Sequence, residues 1–144
     1  MQALYKYINH LANSQRRLIE KLSLDRDYSG AQGKVIHFLF CNTDRVIHQK
    51  DIEKEFGMRA STVAEMLRAM EQKGVIHRIT SREDARYREI QLTQRAEQYK
   101  EAVFSDMEVL QQTLTDGIGE EDLKIWAKVS EKMLENYKGV NHEK

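Results

Sequence analysis

Two clusters of side chains in this chain have the residue types and spacing for chemistry. The first is "HRITSREDARYREIQLT" at 77–93, where Arg78, Arg82, Arg86 and Arg88 surround the acidic pair Glu83 and Asp84. Arginines near a hairpin tip suit phosphate, or the enhanced negative potential of a narrow nucleic-acid groove. Asp84 can hold Arg86 or Arg78 by a charge-assisted hydrogen bond and so preset its direction. The competing reading is an ordinary solvated turn in which Asp84 bonds local backbone. Arg82 and Arg86 are expected near the tip as the contacting pair, with Arg78 and Arg88 lower on the strands as braces. The second cluster is "MRASTVAEMLRAMEQKG" at 58–74. Arg59, Ser61 and Thr62 would stand at the start of a helix, where short polar side chains and free N–H groups can approach phosphates and base edges. Arg68 lies further along the same outward face. Against this, Thr62-x-x-Glu65 matches the capping-box pattern, and Glu65 is assigned here to the cap. The basic hairpin that follows tips Ser61 and Thr62 towards contact.

Other chemistry finds less support. His37 and Cys41 lie four apart on one helix face, but a thiolate at a helix C-terminus meets the negative end of the dipole, so Cys41 is expected as a buried core residue. The five histidines (His10, His37, His48, His77, His142) form no metal-ligand spacing, and one cysteine builds no structural zinc site. No nucleophile elbow, phosphate loop or carboxylate pair argues for an enzyme, and nothing calls for a cofactor.

The elements that must position these residues follow from periodicity. Leu4, Ile8, Leu11, Leu18 and Leu22 make a helical stripe over 2–23. "LDRDYSGAQG" breaks it, and a more apolar helix follows over 31–41. "RVIHQ" reads as a strand stub. A short helix over 49–56 turns Ile52 and Phe56 inward, and Gly57 ends it. The helix 60–73 buries Val63, Met66, Leu67 and Met70, with Gly74 at its C-terminal cap. The period then changes to strand-like alternation, Ile90 and Leu92 inward against Glu89 and Gln91 outward, which predicts a hairpin. Thr93 is expected to cap a helix running to about 116. Phe38, Met66, Phe104 and Met107 are assigned to the core. A last amphipathic helix spans 121–137 through Leu123, Trp126, Val129, Met133 and Tyr137. The fold class expected is mainly α with a small β-hairpin wing: a winged helix-turn-helix core flanked by N- and C-terminal dimerisation helices. The stripes at both chain ends exceed what so small a centre can bury, which points to pairing with a second copy.

Composition sets the outer bounds. The 144 residues carry no net charge, with 32% charged and 40% hydrophobic side chains, as in a globular chain. Acidic charge gathers late: residues 94–144 hold seven basic and eleven acidic groups, against six and three over 1–43. No apolar run approaches membrane-spanning length and the N-terminus lacks signal-peptide character, so no membrane partner is expected and the cytoplasm is the expected compartment.

The segment 49–93 resembles the core of the MarR family of bacterial transcriptional regulators. The resemblance is carried by Ser61-Thr62-Val63, by "EQKGVIHR", by Asp84-x-Arg86 and by the closing Leu92-Thr93. It implies dimerisation through 1–28 and 94–144 and a DNA-binding region over 29–93, with a recognition helix at about 60–73 and a wing at about 76–92. It implies a homodimer on a pseudo-palindromic double-stranded operator, acting as a repressor released by a small aromatic or other organic ligand. That ligand's cleft would draw on His10, Arg17, His37, Phe38 and Cys41. DNA contacts would come from Arg59, Ser61, Thr62, Arg68, Arg82 and Arg86, with Asp84 orienting the wing arginine. Two rival expectations are a winged-helix protein-interaction module and a regulator switched by oxidation of Cys41.

Overall fold

The structure, a computed structural model, describes residues 3–141, so His142 lies outside the described residues. Helix α1 spans Tyr5–Ser23 and α2 spans Gly30–Cys41. A capping box opens α2: Ser29 Oγ accepts the Gln32 N–H at 3.1 Å, and Gln32 Oε1 accepts the Ser29 N–H at 3.3 Å. Helix α2 is apolar on most sides and buries Val35, Ile36, Phe38 and Leu39. Helices α3 (Gln49–Phe56) and α4 (Ala60–Gln72) are separated by Gly57, whose φ of 62° is the left-handed conformation that ends α3. Gly74 ends α4 the same way at φ 77°. There Val75 N–H bonds the Met70 carbonyl and Gly74 N–H the Glu71 carbonyl, both at 3.0 Å, which is a Schellman closure.

The chain then pairs β1 (Ile76–Thr80) antiparallel with β2 (Arg88–Leu92), Ile76 opposite Leu92 and Thr80 opposite Arg88. The stub before α3 adds a third contact, a bridge from His48 to Glu89 with Ile90 N–H bonding the Ile47 carbonyl at 2.8 Å. Thr93 does not cap the next helix. Its hydroxyl donates instead to the carbonyls of Gly74 and Val75, fastening the foot of the hairpin to the end of α4. The following segment opens as a 3-10 helix over Gln94–Tyr99 and continues as α5 (Lys100–Thr115).

Ile52, Val63, Leu67, Met70, Ile76 and Val103 are each no more than 1% exposed and form the centre of the core. Four expected core positions sit differently, and one of them, Met107, is half-buried. Met66 is only half-buried, because α4 turns the Val63–Leu67–Met70 line most directly inward. Phe104 stays exposed, facing His37 and Phe40 at the surface. Cys41, on the last residue of α2, is exposed because the helix ends before its next turn could be covered.

The link between α1 and α2 is held firmly. Arg26 pairs with Asp106 of α5 at 2.8 Å, the Tyr28 hydroxyl donates to the same carboxylate at 3.5 Å, and the Tyr99 hydroxyl donates to Asp27 at 2.9 Å. Burial, seconded by Asp106, pushes the Tyr28 phenol up to about 12. The described residues up to Leu110 form one compact unit, so the 3-10 helix and most of α5 pack with the winged helix and contribute Ala96, Tyr99 and Val103 to its core. The described residues from Gln111 onward form a second unit, in which a turn at Gly117 leads to α6 (Glu120–Asn141). No described helix is long and apolar enough to cross a membrane.

Leu67 is fully buried at the centre of α4. Leu67→Ala should cost about 2–5 kcal/mol of unfolding free energy, as core leucine truncations do, measured by urea denaturation.

Candidate nucleic-acid interface

Helix α4 buries Val63, Leu67 and Met70, so its 3.6-residue period turns Ser61, Thr62, Glu65 and Arg68 outward. Arg59 occupies the N-cap in an extended conformation, and no side chain closes the cap. The expected Thr62–Glu65 capping box is therefore absent. The helix starts at Ala60, which places Thr62 inside the first turn rather than ahead of it, and Glu65 faces outward without a bond to it. The first turn of α4 consequently presents open N–H groups, two hydroxyls and the positive end of the helix dipole.

The wing divides its arginines. Asp84 grips Arg86 in a two-pronged contact, Nη2 to Oδ2 at 2.7 Å and Nε to Oδ1 at 3.0 Å, and also accepts the Arg86 N–H at 3.1 Å. Those bonds hold the Asp84 carboxyl below its usual range, while the Arg86 side chain remains 81% exposed. Arg86 is thus aimed and still open. Its guanidinium also lies 5.6 Å from the ring centre of Tyr87, and Lys50 lies 4.8 Å from the same ring, so a cation flanks the tyrosine from two elements.

Arg82 is placed otherwise than expected. Its Nε and Nη2 bond Glu89 at 3.0 and 2.9 Å, and its backbone N–H bonds the same carboxylate at 2.8 Å. Glu89, expected to face outward on the strand, is instead 1% exposed. Strand β2 runs between β1 and the His48 stub, and Arg82 folds back over the remaining side. Arg82 therefore neutralises a buried carboxylate while its own side chain stays 65% exposed at the wing. Arg78 pairs with Glu71 of α4 at 2.9 Å, and Arg88 Nη2 donates to the Arg78 carbonyl at 2.6 Å, so both brace the hairpin.

The profile of the MarR family matches residues 39–87. Over that span, from the end of α2 into the wing, the chain is similar to the MarR family. The chain is similar in structure to the transcription regulator MarR from Oenococcus oeni (26% identity, TM-score 0.83, covering 92% of this chain and 98% of that one). It is also similar to MepR of S. aureus in its DNA-binding conformation (26% identity, TM-score 0.82, 92% and 97% covered). MepR in complex with DNA matches at 24% identity and TM-score 0.77, over 94% of this chain and 98% of that one. No curated protein matches the chain.

The residues assigned to a MarR-type ligand cleft come together only in part. His37, Phe38 and Cys41 line an open cavity of about 560 Å³ together with Lys34, Arg45 and Phe56. His10 and Arg17 lie exposed on α1 and do not line it, Arg17 bonding Ser14 at 3.2 Å. Burial lowers the His37 imidazole below its ordinary value, and its Nε2 sits 3.6 Å from Cys41 Sγ. Among the described residues no three His, Cys, Asp or Glu side chains gather as a metal site. Sequence reasoning missed two positions near the wing: His48, whose only signal is its place just before α3, and Tyr87.

The Arg82–Glu89 pair yields a pH signature. Hydrogen bonds from Arg82 bring the Glu89 carboxyl down from 4.5 to about 2 in the folded protein. A depressed carboxyl contributes stability that is complete above its unfolded value and is lost as pH falls towards the folded one. The melting temperature should therefore fall as pH drops from 4.5 towards 2, and Glu89→Gln should flatten that loss. Arg82→Ala should lower the melting temperature at neutral pH by leaving a buried charge unpaired, whereas Arg86→Ala should not.

Proposed function

We propose that the chain is a cytoplasmic, homodimeric regulator that binds a pseudo-palindromic duplex. One observation carries the reading: the uncapped first turn of α4, where the side chains of Ser61 and Thr62 are exposed and make no hydrogen bond among the described residues, accompanies an exposed Arg86 held in place by Asp84. A helix start of this kind favours phosphates and brings short side chains to base edges in a major groove. An aimed arginine on a wing suits a narrow minor groove. In this reading Arg59 and Arg68 contact phosphate and Ser61 and Thr62 read sequence. Arg86 enters the flanking groove, and Arg82 shapes the wing that carries it. The similarity to MepR in its DNA-binding conformation supports the same reading. Repression relieved by a small organic ligand is the mode of control proposed. The cavity lined by His37, Phe38 and Cys41 is the proposed receptor, with Lys34 and Arg45 to receive an anionic group.

Exposed apolar side chains support the dimer. In the first unit, Leu4, Tyr5, Ile8 and Leu11 are each about half exposed along α1. In the second, α6 leaves Trp126, Leu134, Tyr137 and Val140 more than half exposed. Such rows are ordinarily covered in solution.

Two measurements test this function. In fluorescence anisotropy with a duplex from the DNA upstream of its own gene, Arg86→Ala should weaken binding across many sequences and lower the salt slope by about one. Ser61 and Thr62 substitutions should instead shift sequence preference, and unaltered binding by Arg86→Ala would remove the wing from the interface. In sedimentation, the double substitution Leu134→Glu with Tyr137→Glu should convert a dimer to monomer and abolish tight binding to the paired half-sites. A wild-type monomer would refute the dimer.

A further inference from the structure

The base of the wing loop holds a buried polar contact between His48 and Ser81. His48 stands at the N-cap of α3, and its Nε2 lies 2.7 Å from the Oγ of Ser81, the first residue after β1. Both residues are buried. Ser81 Oγ also accepts two backbone N–H groups of the wing loop, from Glu83 at 3.2 Å and Asp84 at 3.3 Å. The His48 side chain also accepts the Asp51 backbone N–H, and the Asp51 carboxylate accepts the His48 backbone N–H at 2.8 Å, so the ring is held between α3 and the wing loop.

The links continue outward. Ser81 holds the amide of Asp84, and the Asp84 carboxylate grips Arg86. The backbone bond from Ile90 to Ile47 ties the strands to the segment before α3, but it stops short of the loop. We propose that His48, acting through Ser81, is the positioning residue that fixes the wing arginine relative to the helix-turn-helix. The inference rests on the DNA-binding reading for its effect on affinity.

The test uses a fluorescein-labelled duplex from the DNA upstream of its own gene. Ser81→Ala should bind it about three- to tenfold more weakly, the weight of one lost hydrogen bond, while Ser81→Thr keeps wild-type affinity. In an Arg86→Ala background, Ser81→Ala should add no further loss, because both act through the same arginine. His48→Ala should weaken binding to a similar extent and should add no further loss to Ser81→Ala, because both act through one contact. Wild-type affinity in Ser81→Ala, or full additivity with Arg86→Ala, overturns the proposal. Imidazole nitrogen shifts of the free protein decide it without DNA: a His48 ring signal that moves in Ser81→Ala supports the link, and one that stays in place overturns it. Absence of any wild-type binding would sink the DNA-binding reading instead, leaving the nitrogen spectrum to judge the link.

Discussion

A two-stranded hairpin is marginal in water, so everything the wing does depends on what ties it down. Here the foot of the hairpin is fastened from three directions. Thr93 bonds the end of α4 through Gly74 and Val75, Ile90 bonds the segment before α3 through Ile47, and Arg78 reaches Glu71 on α4. The buried Glu89 with Arg82 over it adds a fourth tie, one that closes the loop against its own strand. Removing a buried charge's partner generally costs more than the pair itself contributes. The pair therefore makes any other arrangement of the loop unfavourable, which is the role an aimed wing requires.

The same economy governs the link between α1 and α2. Asp27 accepts the Tyr99 hydroxyl through its carboxylate and the Lys73 ammonium through its carbonyl, and Lys73 caps the C-terminal end of α4. Arg26 and Tyr28 meet at Asp106 on α5. A six-residue connection thus touches both the last turn of the candidate recognition helix and the helix after the hairpin. Gly33 belongs to this arrangement, since a Cβ there would come within 2.8 Å of the Tyr28 ring. A displacement of α5 would be felt at α4 through hydrogen bonds that have specific lengths and few alternatives.

What the sequence made legible was whatever repeats or punctuates. The helices and hairpin follow from period, and Gly57 and Gly74 from the left-handed turns they enable. The Asp84–Arg86 contact follows from a spacing of two residues within one loop. Illegible were choices among equally good partners. Arg82 and Arg86 look alike in the chain, and only folding brings Glu89, seven residues on, to the first rather than the second. Thr93 had a helix to cap and found two carbonyls of an earlier turn instead. Thr62 matched a capping pattern one turn too late, because Arg59 already occupied the cap position. Cys41 had the composition of a core residue, but its exposure depended on where α2 ended.

Each ion pair at the wing cancels both of its members, Glu71 with Arg78, Asp84 with Arg86 and Glu89 with Arg82, so pairing changes where charge stands rather than how much there is. Glu89 is buried while the side chains of Arg82 and Arg86 stay 65% and 81% exposed. Arg59 and Arg68 have no ion pair among the described residues, and Lys50 faces Tyr87 rather than a carboxylate. Glu65 is the acid left on the outer face of α4, where repulsion from phosphate would weigh against every sequence except one offering it a cytosine amino group. Any positive field in this region therefore comes from Arg59, Arg68 and Lys50, and Glu65 and the exposed Glu83 oppose it.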